Sequence, residues 1–544
     1  MNTTTPTGDG VSGVPAWLPD EATLTRLANE YFAALPGQPQ APAGQPVTPA
    51  PAGQPVTPAP AGQPASAVSA AQPAGAVSAV RPPAPLTGPA AAGPQWPGQA
   101  YELPGLGEVP EPSFYFIDYR PPAATPASEF PADARDPFNV ELIRRQFPVL
   151  SERINGRQLV WLDNAATTQK PQVVIDRLGY FYAHENSNVH RAAHTLAARA
   201  TDAYESARAT VAGFIGAPSA ESVIFTRGAT EAINLVAQAW GRQNISPGDE
   251  ILISHLEHHS NIVPWQQLAE QAGAKLKIIP VDDDGQLNLD AYTGLLTDRT
   301  RLVAVSHVSN VLGTIVPVGE VTAAAHRVGA RVLIDGAQAI AHLPVDVRAL
   351  GADFYAFSGH KVFAPTGIGV LYGTPEMLET MPPWQGGGNM IRDVTFERTT
   401  YNQPPARYEA GTGSIADAVA LGAALDYVSR AGVPGIVRYE NELLGYATSQ
   451  IQSVPGLRLI GTAQQKASVL TFVLDNCSPE ETGSALDKEG IAVRSGHHCA
   501  QPILRRYGLE SAVRASLAMY NTENEVDLLV AALRKIAADA ARRR

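Results

Sequence analysis

Beyond about residue 137 the chain alternates short, continuously apolar runs with helical patterns. Val223-Ile224-Phe225-Thr226 precedes a helix predicted from about Thr230 to Trp240. Further strands are predicted at Glu250–Ser254, Leu276–Val281, Leu302–His307, Val332–Asp335 and Phe354–Phe357. A strand that is apolar at every position must bury both of its faces. Such strands, separated by helices, predict an α/β fold with a mostly parallel sheet covered on both sides. Ligands of these sheets bind at the carboxyl ends of the strands. The polar residues that close each run are therefore the first candidates for a site.

The preceding 136 residues differ in kind. Pro, Ala, Gly and Gln dominate, and no lysine occurs before Lys170. The unit Ala-Pro-Ala-Gly-Gln-Pro-Val-Thr-Pro starts at Ala41, Ala50 and Ala59, then degrades. It offers almost nothing to bury, and its prolines block backbone pairing, so residues 1–136 are expected to be a disordered tail. Two islands interrupt it. In the first, about 17–35, Asp20 can cap a helix whose Leu24, Leu27, Tyr31 and Leu35 share one face. The second, Ser113-Phe114-Tyr115-Phe116-Ile117-Asp118-Tyr119-Arg120, is strongly aromatic. Both are expected to be docking motifs for another protein, against the alternative that they fold back onto this chain.

Net charge is −12, which argues against a nucleic-acid surface. The sequence shows neither a secretory signal nor an apolar run of membrane-spanning length. Its two cysteines cannot form a disulfide framework, so a reducing, cytoplasmic setting is expected.

Three strand ends and one loop carry chemistry. Thr226-Arg227-Gly228-Ala229-Thr230-Glu231 is a glycine turn into a helix, whose free N–H groups suit a phosphate. Asp335-Gly336-Ala337-Gln338 closes another run with a carboxylate, either a cap or a partner for a cationic ring. Ser358-Gly359-His360-Lys361 places a lysine that could condense with a carbonyl. The loop Arg494-Ser495-Gly496-His497-His498-Cys499-Ala500-Gln501-Pro502 surrounds one thiol with an arginine and two histidines. Positive neighbours favour a thiolate, but the loop alone leaves open a buried, inert cysteine. Cys477 has no basic neighbours and reads as structural, and no Cys/His set has metal-ligand spacing.

Together these segments resemble a known family. Ser358–Lys361 followed by Gly367-Ile368-Gly369-Val370-Leu371-Tyr372 looks like the lysine segment of class V aminotransferase-like enzymes. With Leu162–Thr168, Asn188-Val189-His190-Arg191, Glu257–Asn261, Arg514-Ala515-Ser516, Tyr520-Asn521-Thr522 and the Cys499 loop, the chain resembles a group II cysteine desulfurase from about Phe138 to Leu533. The resemblance implies the fold type I of pyridoxal-phosphate enzymes: a large domain over 137–420, with its first helix packing on the small domain, and a smaller α+β domain over 421–544 carrying the cysteine loop. It implies a homodimer that converts L-cysteine to L-alanine, leaves a persulfide on Cys499, and passes the sulfur to an acceptor protein or thiol reductant.

It also implies roles. Lys361 would hold pyridoxal 5′-phosphate and move the substrate Cα proton. Asp335 would pair with the ring nitrogen, Gln338 would reach the ring oxygen, and His258 would stack on the ring and serve in proton transfer. Ala229, Thr230, Ser358 and His360 would bind the phosphate, and Thr412 would reach the phosphate of the other subunit. Arg514 would clamp the substrate carboxylate, with Asn310 nearby and Arg494 in support. His259 reads as structural, His497 and His498 as either tuning the thiol or packing, and His190 and Arg191 as candidate lining. Ala364, Asn389 and Gly413 stand where the family usually has glycine, glutamate and proline. The tail resembles the loading segment of desulfurase cargo in family 2 encapsulin nanocompartments, which would place the enzyme inside a protein shell. Two alternatives are a selenocysteine lyase, which would depend less on Cys499, and a protein serving chiefly as an interaction or cargo component.

Overall fold

The computed structural model describes residues 138–189 and 193–542. The chain divides into units Met1–Glu111 and Pro112–Arg544, and all described residues belong to the second. Both tail islands, together with His190 and Arg191, lie outside them.

Seven strands form the main sheet: β1 (Val223–Thr226), β2 (Glu250–Ser254), β3 (Lys275–Ile279), β4 (Thr300–Ser306), β5 (Arg331–Asp335), β6 (Phe354–Ser358) and β7 (Gly369–Gly373). Their order is β1-β7-β6-β5-β4-β2-β3. Strands β2 to β6 run parallel to one another, while β7 is antiparallel to both β1 and β6. The fold is thus α/β with a mostly parallel sheet. Strand β3 ends at Ile279 rather than continuing to Val281, because Pro280 has no N–H for the ladder.

The two faces of this sheet bury alternate residues. Val223, Phe225, Val332, Ile334, Tyr355 and Phe357 join one core. Their neighbours Ile224, Leu333, Phe354 and Ala356 join a second core on the opposite face. This alternation is why the runs had to be apolar at every position. Each aliphatic side chain so placed contributes about 1.5–3 kcal/mol relative to exposure.

A second sheet holds β8 (Leu457–Ile460), β9 (Val469–Leu474), β10 (Arg494–Gly496) and β11 (Ala512–Ser516), all antiparallel, in the order β8-β9-β11-β10. Its core includes Leu470, Phe472, Val513 and Ala515, packed with helices α2 (Val433–Gln452) and α3 (Glu523–Arg542). The preceding helix α1 (Ile415–Ala431) runs unbroken through the boundary expected at 420/421. Segment 160–166 stitches onto this second sheet. Val160–Trp161 pairs with Ile491–Ala492, and Ser516 N donates to Leu162 O at 2.7 Å. Among the described residues, no helix is long and apolar enough to cross a membrane.

Strands β1 and β7 meet closely behind the Gly228 turn. A Cβ on Gly369 would lie 2.4 Å from Gly228 Cα and 2.7 Å from Phe357 O, both backbone atoms that cannot rotate away. Gly369→Ala is therefore expected to destabilise the fold by about 1–3 kcal/mol, the range for overpacking. Urea unfolding at constant m-value measures it, and an unchanged midpoint would contradict the close packing.

Candidate active site

One cavity of about 180 Å³ gathers twelve of the thirteen expected site residues: Ala229, Thr230, His258, Asn310, Asp335, Gln338, Ser358, His360, Lys361, Arg494, Cys499 and Arg514. Thr412 is exposed and lines a separate cavity of about 680 Å³ with Thr226, Arg227, Trp384 and Glu409.

The carboxyl ends of β5 and β6 supply its floor. Asp335 ends β5, is 4% exposed, and accepts a 3.0 Å hydrogen bond from Ala337 N. Burial holds its pKa above the ordinary carboxylate range. Lys361 follows β6 in the turn Gly359–Lys361. Burial lowers its ammonium to about 8, with Asp335 pulling the other way. An acid and an amine, each disfavoured as ions by burial, lie at neighbouring strand ends. Gln338 Nε2 donates to Ala165 O at 2.7 Å, which orients its amide.

His258 enters from the loop after β2. Burial, then Lys361, lowers it to about 3, so its ring is neutral at pH 7. Its Nδ1 accepts from Ser260 N at 3.1 Å, which assigns the remaining proton to Nε2. At the far end, the helix Ala229–Val236 begins after Gly228, and Ala229 N donates to Ser358 Oγ at 2.9 Å. Burial lowers His360 to about 4, so it too is neutral.

Cys499 is half-buried on the loop leaving β10. His498 and Cys499 have φ of +52° and +54°, a left-handed conformation costing non-glycine residues roughly 1–3 kcal/mol each. Two anchors from the main-sheet side hold it. Cys499 O accepts from His259 N at 2.8 Å, and His498 O accepts from Asn310 Nδ2 at 2.7 Å. His259 is thus structural through its backbone, with its ring 5.7 Å from that of His497.

The loop histidines resolve toward packing. His498 is buried, its Nε2 lies 3.0 Å from Ala512 O, and burial lowers it to about 3. It contributes no positive charge at neutral pH. His497 Nδ1 accepts Cys499 N at 3.0 Å, acting as a cap. Cys477 lies away from the cavity and accepts from Thr482 Oγ1 at 3.3 Å. Asn389 has φ +67°, which asparagine tolerates, and donates to Glu409 O at 3.0 Å.

Three supports had no expected role. Asp163 bridges Arg514 Nη2 at 3.0 Å and Arg494 Nε at 3.1 Å. Glu257 is wholly buried between Ser254, Asn261 and Ser306, which donate to it, and burial raises it to about 7. Thr168 N, the Thr167 and Thr168 hydroxyls and Lys170 Nζ all converge on His360 O, fixing the backbone before Lys361. The sequence signal for each is a polar group beside an apolar run, which also describes ordinary caps. Only the fold brings them onto their partners.

Residues 160–529 match the Aminotransferase class-V family. A probable cysteine desulfurase of Mycolicibacterium paratuberculosis is 58% identical over 465 residues, covering 84% of this chain and 67% of that protein. That share is more than residues 138–544 alone can supply, so the match extends into the tail. A cysteine desulfurase of Synechococcus elongatus is 63% identical over 399 residues, covering 73% of this chain and 64% of that protein. The chain thus spans about two thirds of the length of these two relatives. The crystal structure of cysteine desulfurase CsdA (S-sulfonic acid) from Escherichia coli superposes with a TM-score of 0.69 at 40% identity, covering 74% of this chain and 99% of that one. A mostly parallel sheet with a lysine and an aspartate at its strand ends, matched in this way, defines a class-V aminotransferase-type fold. The chain belongs to this family and, within it, to the cysteine desulfurases.

The family's cofactor is pyridoxal 5′-phosphate. The donor set suits it: a buried acid for a ring nitrogen, an amine for a carbonyl, and a helix N-terminus for a phosphate. Gly228 keeps that end open, since a Cβ there would lie 3.2 Å from Ser358 Oγ.

The buried Glu257 gives a pH test. Its folded pKa is raised above the unfolded value, so the folded state binds the proton more tightly. The associated stability is present at low pH and is lost as pH rises from about 4.5 to about 7. Relative to Glu257→Gln, the wild type is expected to lose stability across that window. Unfolding midpoints at several pH values check it, and parallel profiles would contradict it.

Proposed function

We propose that this chain converts L-cysteine to L-alanine and holds the abstracted sulfur as a persulfide on Cys499. The observation that carries this is that Cys499 and Lys361 line one cavity, together with Arg514 and Asp335. Pyridoxal phosphate, when bound, supplies an electron sink for the carbon atoms of the amino acid. Lys361 would hold it covalently and would move the proton at the substrate Cα. Asp335 would keep a proton on the ring nitrogen, Gln338 would donate to the ring oxygen, and His258 would lie against the ring. His258 Nε2–H is the proton that can be shared with the departing sulfur. Ala229, Thr230, Ser358 and His360 would hold the phosphate, with Ala229 N–H fixing the Ser358 hydroxyl. Arg514 takes the substrate carboxylate with its uncommitted N–H groups, and Arg494 supports it. The Cys499 thiolate would bond to the substrate sulfur as the Cβ–S bond breaks; the electron pair of that bond stays with the carbon skeleton, and Cβ takes up a proton to become the methyl group of alanine.

Asn310 contributes differently from a carboxylate donor. Its amide nitrogen bonds His498 O, and its Oδ1 is buried without a partner. It secures the cysteine loop from the substrate side. The short, doubly anchored loop supports the group II reading, in which a persulfide stays near the cavity until an acceptor protein or thiol reductant collects it.

A homodimer gives exposed Thr412 a role at the phosphate of the second subunit. The boundary expected between 137–420 and 421–544 falls inside helix α1, whose Leu421, Leu425 and Val428 belong to the main-sheet core, so the division is better drawn after Ala431, with the cysteine loop on the small domain. A cytoplasmic enzyme inside an encapsulin shell is the reading that the tail's composition and its two islands support.

Cys499→Ser is expected to lower alanine release from L-cysteine by roughly 100-fold or more, about 2.7 kcal/mol of barrier. Undiminished turnover would overturn the persulfide reading. With cysteine and selenocysteine competing on one wild-type preparation, a strong preference for selenocysteine with little cysteine turnover would favour the lyase alternative. Deleting residues 1–136 is expected to abolish co-purification with a co-expressed family 2 encapsulin shell while leaving desulfurase turnover intact. Retained loading would contradict the tail's role.

A further inference from the structure

Arg514 is the most enclosed cation of the cavity, 2% exposed, and such a charge needs a counter-ion inside the protein. Asp163 is that counter-ion, and it serves two arginines at once. Its Oδ1 lies 3.0 Å from Arg514 Nη2 and its Oδ2 lies 3.1 Å from Arg494 Nε. Arg514 Nη1 donates to Asn310 O at 2.8 Å. The guanidinium is therefore gripped at both Nη atoms, while its Nε is buried with no partner in the protein. A group held at one edge with an unsatisfied donor on another is pre-set for an incoming acceptor.

The carboxylate of Asp163 is not what fixes its own segment. Leu162 N donates to Ala492 O at 2.9 Å, Ser516 N to Leu162 O at 2.7 Å, and Ala165 N to Ser516 Oγ at 2.9 Å. The Asn164 amide donates to Ser516 O at 2.6 Å. With the backbone secured, the side chain is left to the arginines. Two guanidinium groups and one carboxylate leave one positive charge, which matches the single carboxylate of an amino-acid substrate.

We propose that Asp163 is a positioning residue that sets substrate-carboxylate recognition, by holding Arg514 at its Nη atoms so that Nε is presented and by occupying Arg494. This rests on the reading of Arg514 as the carboxylate clamp. It makes Asp163 selective in effect: it matters for ligands that carry a carboxylate and not for amines that lack one.

The test uses the holoenzyme and the shift of its cofactor absorbance on titration, without turnover. The two probes are L-alanine, which carries the carboxylate, and ethylamine, which lacks it. Asp163→Asn is expected to weaken L-alanine binding by about tenfold or more while changing ethylamine binding by less than about twofold. Equal weakening of both probes, or unchanged or tighter L-alanine binding, would overturn the proposal. If Asp163→Asn does not fold, Asp163→Glu, which keeps the charge but displaces it, is expected to show the same split, and its absence there overturns the proposal equally. Arg514→Lys separates the underlying reading. Unweakened L-alanine binding in that variant refutes the clamp itself, whereas weakening in Arg514→Lys without weakening in either Asp163 variant refutes only the role of Asp163.

Discussion

Asp335 and Lys361 occupy the carboxyl ends of neighbouring parallel strands, each pushed by burial toward its uncharged form. Much of the molecule can be read as the means of keeping these two groups there. The sheet must be covered on both faces to exclude water, which is why its strands are largely apolar except at the edge strand β3, which carries Lys275 and Lys277. The segment 162–170 must cross over the cavity to pin His360 O and receive Gln338. The second sheet must then close the remaining side with Arg494, Cys499 and Arg514.

That last closure explains the cysteine. From the sequence, an arginine and two histidines around one thiol suggest activation by positive charge. In the structure His498 is neutral and tied to Ala512, His497 caps the loop backbone, and Arg494 is shared with Asp163. The loop's residues serve mainly to hold Cys499 in a left-handed conformation beside the cavity. The proposed chemistry therefore rests on its place in the cavity with Lys361 rather than on positive charge in its loop.

The strands and their order of polar endings were legible because two-sided burial leaves a direct mark on every residue of a run. The floor of the cavity was legible for the same reason, since Asp335, Ser358 and Lys361 stand at the ends of those runs. The supports were not. Asp163 and Lys170 act on partners far away in sequence, Glu257 joins two near neighbours, Ser254 and Asn261, to the distant Ser306, and a polar group after an apolar run has no local mark that separates it from a cap. The antiparallel course of β7 was equally hidden, because Gly369–Gly373 has the apolar pattern of its parallel neighbours. Thr412 lies apart from this cavity, lining another with Trp384 and Glu409.

The proposed reaction requires that the sulfur arrive on Cys499. Holoenzyme treated with less than one equivalent of L-cysteine, alkylated and digested, can be mapped by mass spectrometry. The account predicts one added sulfur atom on the peptide containing Cys499, in step with the alanine formed. Alanine formed with no added sulfur on that peptide, or with the sulfur on Cys477, would contradict it.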